Sequence, residues 1–196
     1  TMSSGTIEIG SNLALGTGTL TFNGGRVSSD STTGRVLANR LALSVGGTLG
    51  DATKFGSLLF AGGVSIDATT NLTVDSAVTF GGSIAGTGNW VKLGAGELTL
   101  AGTNVSTGLL TVGAGTLNVS GGSAIANAAT VSIGSGSALK LSSSEEFGML
   151  NGNGSLNLQG NTLTLSGATA GSFGGVISGS GQLVKNGAAV LTLSSA

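Results

Sequence analysis

One three-residue unit, apolar–polar–apolar, recurs along this chain so often that few folds remain open to it. It reads Ile7-Glu8-Ile9, Leu20-Thr21-Phe22, Val64-Ser65-Ile66, Leu72-Thr73-Val74, Val78-Thr79-Phe80 and Leu98-Thr99-Leu100. It continues through Leu117-Asn118-Val119, Val131-Ser132-Ile133, Leu139-Lys140-Leu141, Leu156-Asn157-Leu158, Leu163-Thr164-Leu165 and Leu191-Thr192-Leu193. A period of two sets both apolar side chains on one face of an extended strand and the polar one on the other. No stretch carries the i, i+3, i+4, i+7 spacing of an amphipathic helix. The middle residue is mostly Thr, Ser or Asn, so the outer face is polar and hardly charged. The chain reads as all-β.

The strands are short, and Gly, Asn or Ser interrupts them at close intervals. Glycine supplies 38 of the 196 residues, and proline is absent. Apolar residues make up 39% and the net charge is −1, which is not the balance of a disordered chain. Glycine also lacks the every-third-residue period of a collagen helix. Very short strands with glycine corners suit a right-handed parallel β-helix, a solenoid in which corners need positive φ or close backbone approach. Three strands per coil would use about 20–28 residues. At a strand spacing of about 4.8 Å the chain makes roughly seven to nine coils and a body about 35–45 Å long. In this reading residues 1–196 form one continuous solenoid segment, with Leu98, Leu100, Leu191 and Leu193 pointing inward and Thr99 and Thr192 outward.

The chain repeats itself at longer range. Residues 80–102, FGGSIAGTGNWVKLGAGELTLAG, align without a gap to residues 173–195, FGGVISGSGQLVKNGAAVLTLSS, with thirteen of twenty-three positions identical. The 93-residue interval is too long for one coil, so the repeated object is a block of several. A looser recurrence relates 5–25 to 115–136. The phrase I-x-G-x-G-x-[LW]-V-K-x-G-A-x-x-L-T-L-x-[GS], at 84–102 and again at 177–195, resembles the passenger-associated transport repeat, also called the autotransporter-associated β-strand repeat. The first copy runs on as Thr103-Asn104-Val105-Ser106-Thr107-Gly108, Leu110-Thr111-Val112 and Gly115-Thr116-Leu117, similar to the family's continuation. In the second copy Ala189 replaces the glycine found at Gly96. The resemblance implies a β-helix from the secreted passenger of a Gram-negative autotransporter or a giant surface adhesin, where the repeat serves folding and export. It also implies an extracellular or cell-surface location. The repeat blocks lie at about 80–120 and 173–196, and the chain reads as a piece excised from a longer one. Its only membrane link would be a C-terminal barrel that this stretch does not contain.

The residues themselves offer little chemistry. There is no histidine or cysteine, so a histidine-based nucleophilic triad, a thiolate metal site and a disulfide are all excluded. Calcium β-rolls need G-G-x-G-x-D, and the glycine-rich stretches here lack that aspartate. GTGNW and GSGQL are followed by no helix whose N-terminus could hold a phosphate. Glu145 and Glu146 read as a solvated loop pair. Asp67 and Asp75 fall on neighbouring turns, as in the wall grooves of β-helical polysaccharide lyases, but without a basic residue nearby. Trp90 has the bulk of a sugar-stacking platform, yet Leu183 holds its place in the second copy, which puts it in a wall or the core. Asn71, Asn104, Asn118 and Asn153 head N-x-[ST] triplets of the kind chance supplies in a chain rich in Ser and Thr. Seven Lys and Arg against eight Asp and Glu, mostly scattered, leave no basic face for nucleic acid. The chain therefore reads as a non-enzyme with no catalytic, cofactor or metal residue. Its expected partners are its own neighbouring coils, copies of itself stacked end to end, or a host or cell-surface protein or glycan. End-to-end stacking follows from ends that both read as bare.

Overall fold

The computed structural model describes residues 1–195, and every strand in it is two to five residues long and pairs in parallel. The strands stack into three walls. Ten strands, from Thr6–Ile9 to Leu191–Leu193, form the first wall, and eight, from Arg35–Leu37 to Val176–Ser178, form the second. The third wall comes in two pieces. Leu20–Phe22, Leu41–Leu43, Val64–Ile66 and Ile84–Ala85 make the first piece, and Glu145–Phe147, Thr162–Leu165 and Gln182–Lys185 the second. The chain visits first, second and third walls in rotation, so the fold is a parallel β-solenoid of about nine turns. Ten strands stacked about 4.8 Å apart give a first wall roughly 43 Å long.

Register shows why the triplets matter. Val78 pairs with Leu58 and Leu98, and Leu98 with Leu117, so like residues lie one above another. These columns of Leu, Val and Phe are the core, with Phe60 and Phe80 meeting edge-on at 6.0 Å between ring centroids. Each fully buried aliphatic side chain contributes about 1.5–3 kcal/mol. Paired residues are separated by as few as 17 positions and as many as 25, so the tightest turn is shorter than expected. Leu98 and Leu100 are buried, as their triplet requires, and Thr99 faces out.

The second copy departs from that pattern. Leu191 is half-buried and Leu193 is 53% exposed. Both continue the inward column, since Leu193 pairs with Phe173, but among the described residues no further turn covers them. The copies also occupy different walls. Ile84–Ala85, Trp90–Leu93 and Glu97–Leu100 lie in the third, first and second walls, while Val176–Ser178, Gln182–Lys185 and Leu191–Leu193 lie in the second, third and first. One copy thus leads to the next by four turns and two further walls.

Glycine is demanded most plainly at Gly62, Gly82 and Gly102, stacked at the corner between the second and third walls. A Cβ on Gly102 would run into the carbonyl oxygen of Gly82, and one on Gly82 into that of Gly62. At the other extremity, residues 10–18 take the place of a second-wall strand. Asn12 accepts the backbone N–H of Val36 at 3.0 Å, and Asn39 donates to the carbonyls of Leu15, Gly16 and Gly18. The bare edge expected at the first turn is therefore covered on that wall.

Candidate functional site

The fold gathers charges that look scattered in sequence. Glu8, Arg26, Asp30, Arg35, Asp51, Lys54 and Asp75 all lie along the corner between the first and second walls, in the first four turns. Arg26 donates to the carbonyl of Gly50 at 2.5 Å and to Asp75 Oδ2 at 2.9 Å, so it reaches across two turns. Arg35 holds Asp30 at 2.6 Å and the carbonyl of Ile9 at 2.9 Å, and Lys54 pairs with Glu8. The Arg35 guanidinium keeps the Asp30 carboxyl below the usual range. Asp51 is lowered to about 2, chiefly by the hydroxyl and backbone N–H of Thr53, with the N–H of Lys54 adding to them. Every carboxylate in the cluster has a cationic or hydrogen-bonding partner, and the corner reads as a strut between turns.

Lys92 is one of the basic residues scattered along the sequence, and the fold takes it into the core. It stands in the inward column between Leu72 and Val112 and is fully buried. Its ammonium donates to the carbonyls of Gly94 at 2.7 Å, Gly96 at 2.5 Å and Ala114 at 2.9 Å, the last in the following turn. Burial lowers its pKa to about 8, with Asp75 pulling the other way. Lys185 in the second copy repeats the local part of this contact, donating to Gly187 at 2.6 Å. The signal was present in sequence, since V-K-x-G occurs in both copies with the lysine in the inward phase.

Glu145 corrects a second reading. It is no solvated loop residue but the first residue of the strand Glu145–Phe147, 3% exposed, where the third wall resumes. Its two oxygens accept the backbone N–H groups of Ala124 and Ile125 at 3.1 and 3.0 Å. Burial raises its pKa, and those two bonds oppose the rise. Glu146 points the other way and does not share its surroundings.

The remaining candidates do not converge. Asp67 is exposed at the corner between third and first walls, whereas Asp75 lies at the corner between first and second, paired with Arg26. Trp90 is 1% exposed and belongs to the core. Asn104 and Asn118 are buried, while Asn71 and Asn153 are exposed. Among the described residues no three His, Cys, Asp or Glu side chains gather as a metal site would require. A cavity of about 250 Å³ opens beneath the 10–18 loop, lined by Ile7, Leu15, Leu20 and Asn39 among others, and holds no titratable side chain. What the molecule does present is a long column of hydrogen-bonding groups on the second wall: Thr79, Thr99, Asn118, Lys140, Asn157 and Ser178, one per turn. Part of that column is bonded to itself, since Asn118 accepts from Ser142 at 2.8 Å and donates to Thr99 at 3.4 Å.

No protein-family model matches the chain, and no solved structure matches it. The chain is 43% identical over 192 aligned residues to the adhesin BmaC autotransporter of Brucella suis biovar 1 (strain 1330). That match covers 84% of this chain and 6% of the other, so the chain spans a small part of the curated relative it resembles. The likeness and the solenoid together fit a segment of an autotransporter passenger.

Proposed function

We propose that this chain is a non-catalytic length of shaft in a secreted autotransporter passenger, carried outside the outer membrane, where it supports folding and export and holds neighbouring regions in a rigid line. The observation that carries this reading is the unbroken parallel pairing of the first wall, ten strands long, together with side chains spent on packing and on turn-to-turn bonds. A repeat that stacks on its own kind adds length without a new core. The repeat type named from the V-K-x-G-A and L-T-L phrases belongs to the same proposal. Fused between an export signal and an outer-membrane barrel, the chain should reach the surface of intact cells and be cut there by added protease. Retention in the periplasm would overturn the proposal.

A second reading has its own observation. Val176, Val190 and Leu193 are 60%, 66% and 53% exposed around the last described turns. Such a surface, with a strand edge beside it, favours end-to-end association into a filament. Sedimentation at rising concentration should then show oligomers that Leu193→Pro, which removes a backbone donor from the open side of the edge strand, disperses. A monomer at every concentration would rule the filament out. Recognition of a host or cell-surface protein or glycan would fall to the exposed part of the second-wall column, and a glycan array with Asn157→Ala as control tests it.

A further inference from the structure

The third wall is the one wall that breaks. Its ladder runs from Leu20–Phe22 to Ile84–Ala85, extends to Asn104 by a single bridge, and resumes only at Glu145–Phe147. Between them one turn, residues 120–129, crosses the wall without forming a strand. We infer that this turn is a latch, able to leave the solenoid while the first and second walls remain paired.

The bonds that hold it differ in kind from those around it. Four backbone donors of 121–125 go to side chains of the next turn. Ser143 Oγ accepts Gly121 N–H at 2.8 Å and Gly122 N–H at 3.0 Å, and the Glu145 carboxylate accepts Ala124 and Ile125 N–H. The backbone–backbone bond from 121–125 to a neighbouring turn, among the described residues, is Asn104 N–H to the Ser123 carbonyl at 2.8 Å. By contrast, the flanking strands Thr130–Ile133 and Ala138–Leu141 are laddered on both sides. The turn's own buried side chains are Ala124, Ile125 and Ala129, of which only Ile125 is large, so its own apolar anchorage is small. Gly121 and Gly122 both hold positive φ, 134° and 78°, and form the flexible arm at its start. Over 121–125 the side chains of Ser143 and Glu145 are thus the clasp on the far side, while at the turn's end the Ala129 carbonyl accepts Gly148 N–H at 2.8 Å and acts as the hinge. Local opening draws on segments with few buried contacts and few backbone ladder bonds, and this turn meets both conditions.

Amide hydrogen exchange read by mass spectrometry tests this on the intact chain. In the wild type, 121–125 should exchange at least about tenfold faster than 130–133 and 138–141. Equal rates across 120–141 overturn the latch. Glu145→Gln keeps the shape but turns one acceptor into a donor facing an N–H, and should speed 121–125 about tenfold more while leaving the flanking strands unchanged. Ser143→Ala should do the same for Gly121 and Gly122 to a smaller extent, and it serves alone if Glu145→Gln fails to fold. Glu146→Gln should have no effect. A variant at 143 or 145 that leaves 121–125 unchanged, or speeds all three walls together, shows that the turn belongs to one cooperative unit and overturns the inference.

Discussion

Lys92 occupies a column that Leu72 and Val112 otherwise fill, and its cost and benefit are both local. Desolvating an ammonium is unfavourable, but three carbonyls accept from it. Lys92→Met keeps the stem and orphans those carbonyls, so it should lower stability by about 2–4 kcal/mol in urea unfolding. The shift to about 8 from 10.5 adds a pH signature. Below about 8 both folded and unfolded chains hold the proton; between there and 10.5 the folded chain releases it first, so unfolding takes up a proton and stability rises with pH. Unfolding midpoints from pH 7 to 10 should show that slope in the wild type, and Lys92→Met should lack it. Leucines tell the two copies apart. Leu100→Ala should cost about 2–5 kcal/mol, and Leu193→Ala, at a half-open position, well under about 1. Equal shifts in the two melting curves would put Leu193 inside a covered core.

At the scale of strands and corners, spacing between turns decides what a position tolerates. Gly82→Ala places a methyl group against the Gly62 carbonyl and should cost about 2–3 kcal/mol, whereas Gly18→Ala meets nothing within 4 Å and should be nearly silent in thermal unfolding. Asp51 carries an acid limb: the Thr53 hydroxyl and N–H chiefly lower it to about 2 from 3.8, so its contribution is complete above 3.8 and is lost as pH falls toward 2. Asp51→Asn should flatten the melting temperature over that interval. Much of this level was legible in the sequence. The triplets gave strand phase, hence the buried Leu98 and Leu100 and the outward Thr99, because side-chain alternation is a local property. Glycine at corners was legible for the same reason. The Lys92 cradle was legible only in its local half, the V-K-x-G phase with Gly94 and Gly96, while Ala114 and the N–H groups that meet Glu145 lie about twenty residues off and come together only when turns stack. Polarity argued for a solvated Glu145, and bonds from N–H groups of the neighbouring turn overrode it. The corner cluster was hidden likewise, since Arg26 and Asp75 are 49 positions apart.

For the molecule as a whole, contacts join each turn to its neighbours, which makes it close to one-dimensional. Removing residues 58–77 deletes one turn and lets Val78 succeed to the place of its partner Leu58. That variant should keep a β-type circular dichroism spectrum and melt cooperatively, at a lower temperature. Removing 58–67 leaves half a turn, puts every later triplet on the wrong wall, and should abolish the fold. Survival of both would mean that turn register does not organise the chain. The step between the repeated blocks then acquires a meaning for what the outside world meets. Because a copy returns after four turns and two walls, its like faces look out a third of a revolution apart. A rod written in this block is a screw, and a fourth copy would be the first to look the same way as the original. Such a rod has no blind side: however it rolls against a flat cell, some copy of the same motif is turned toward that cell.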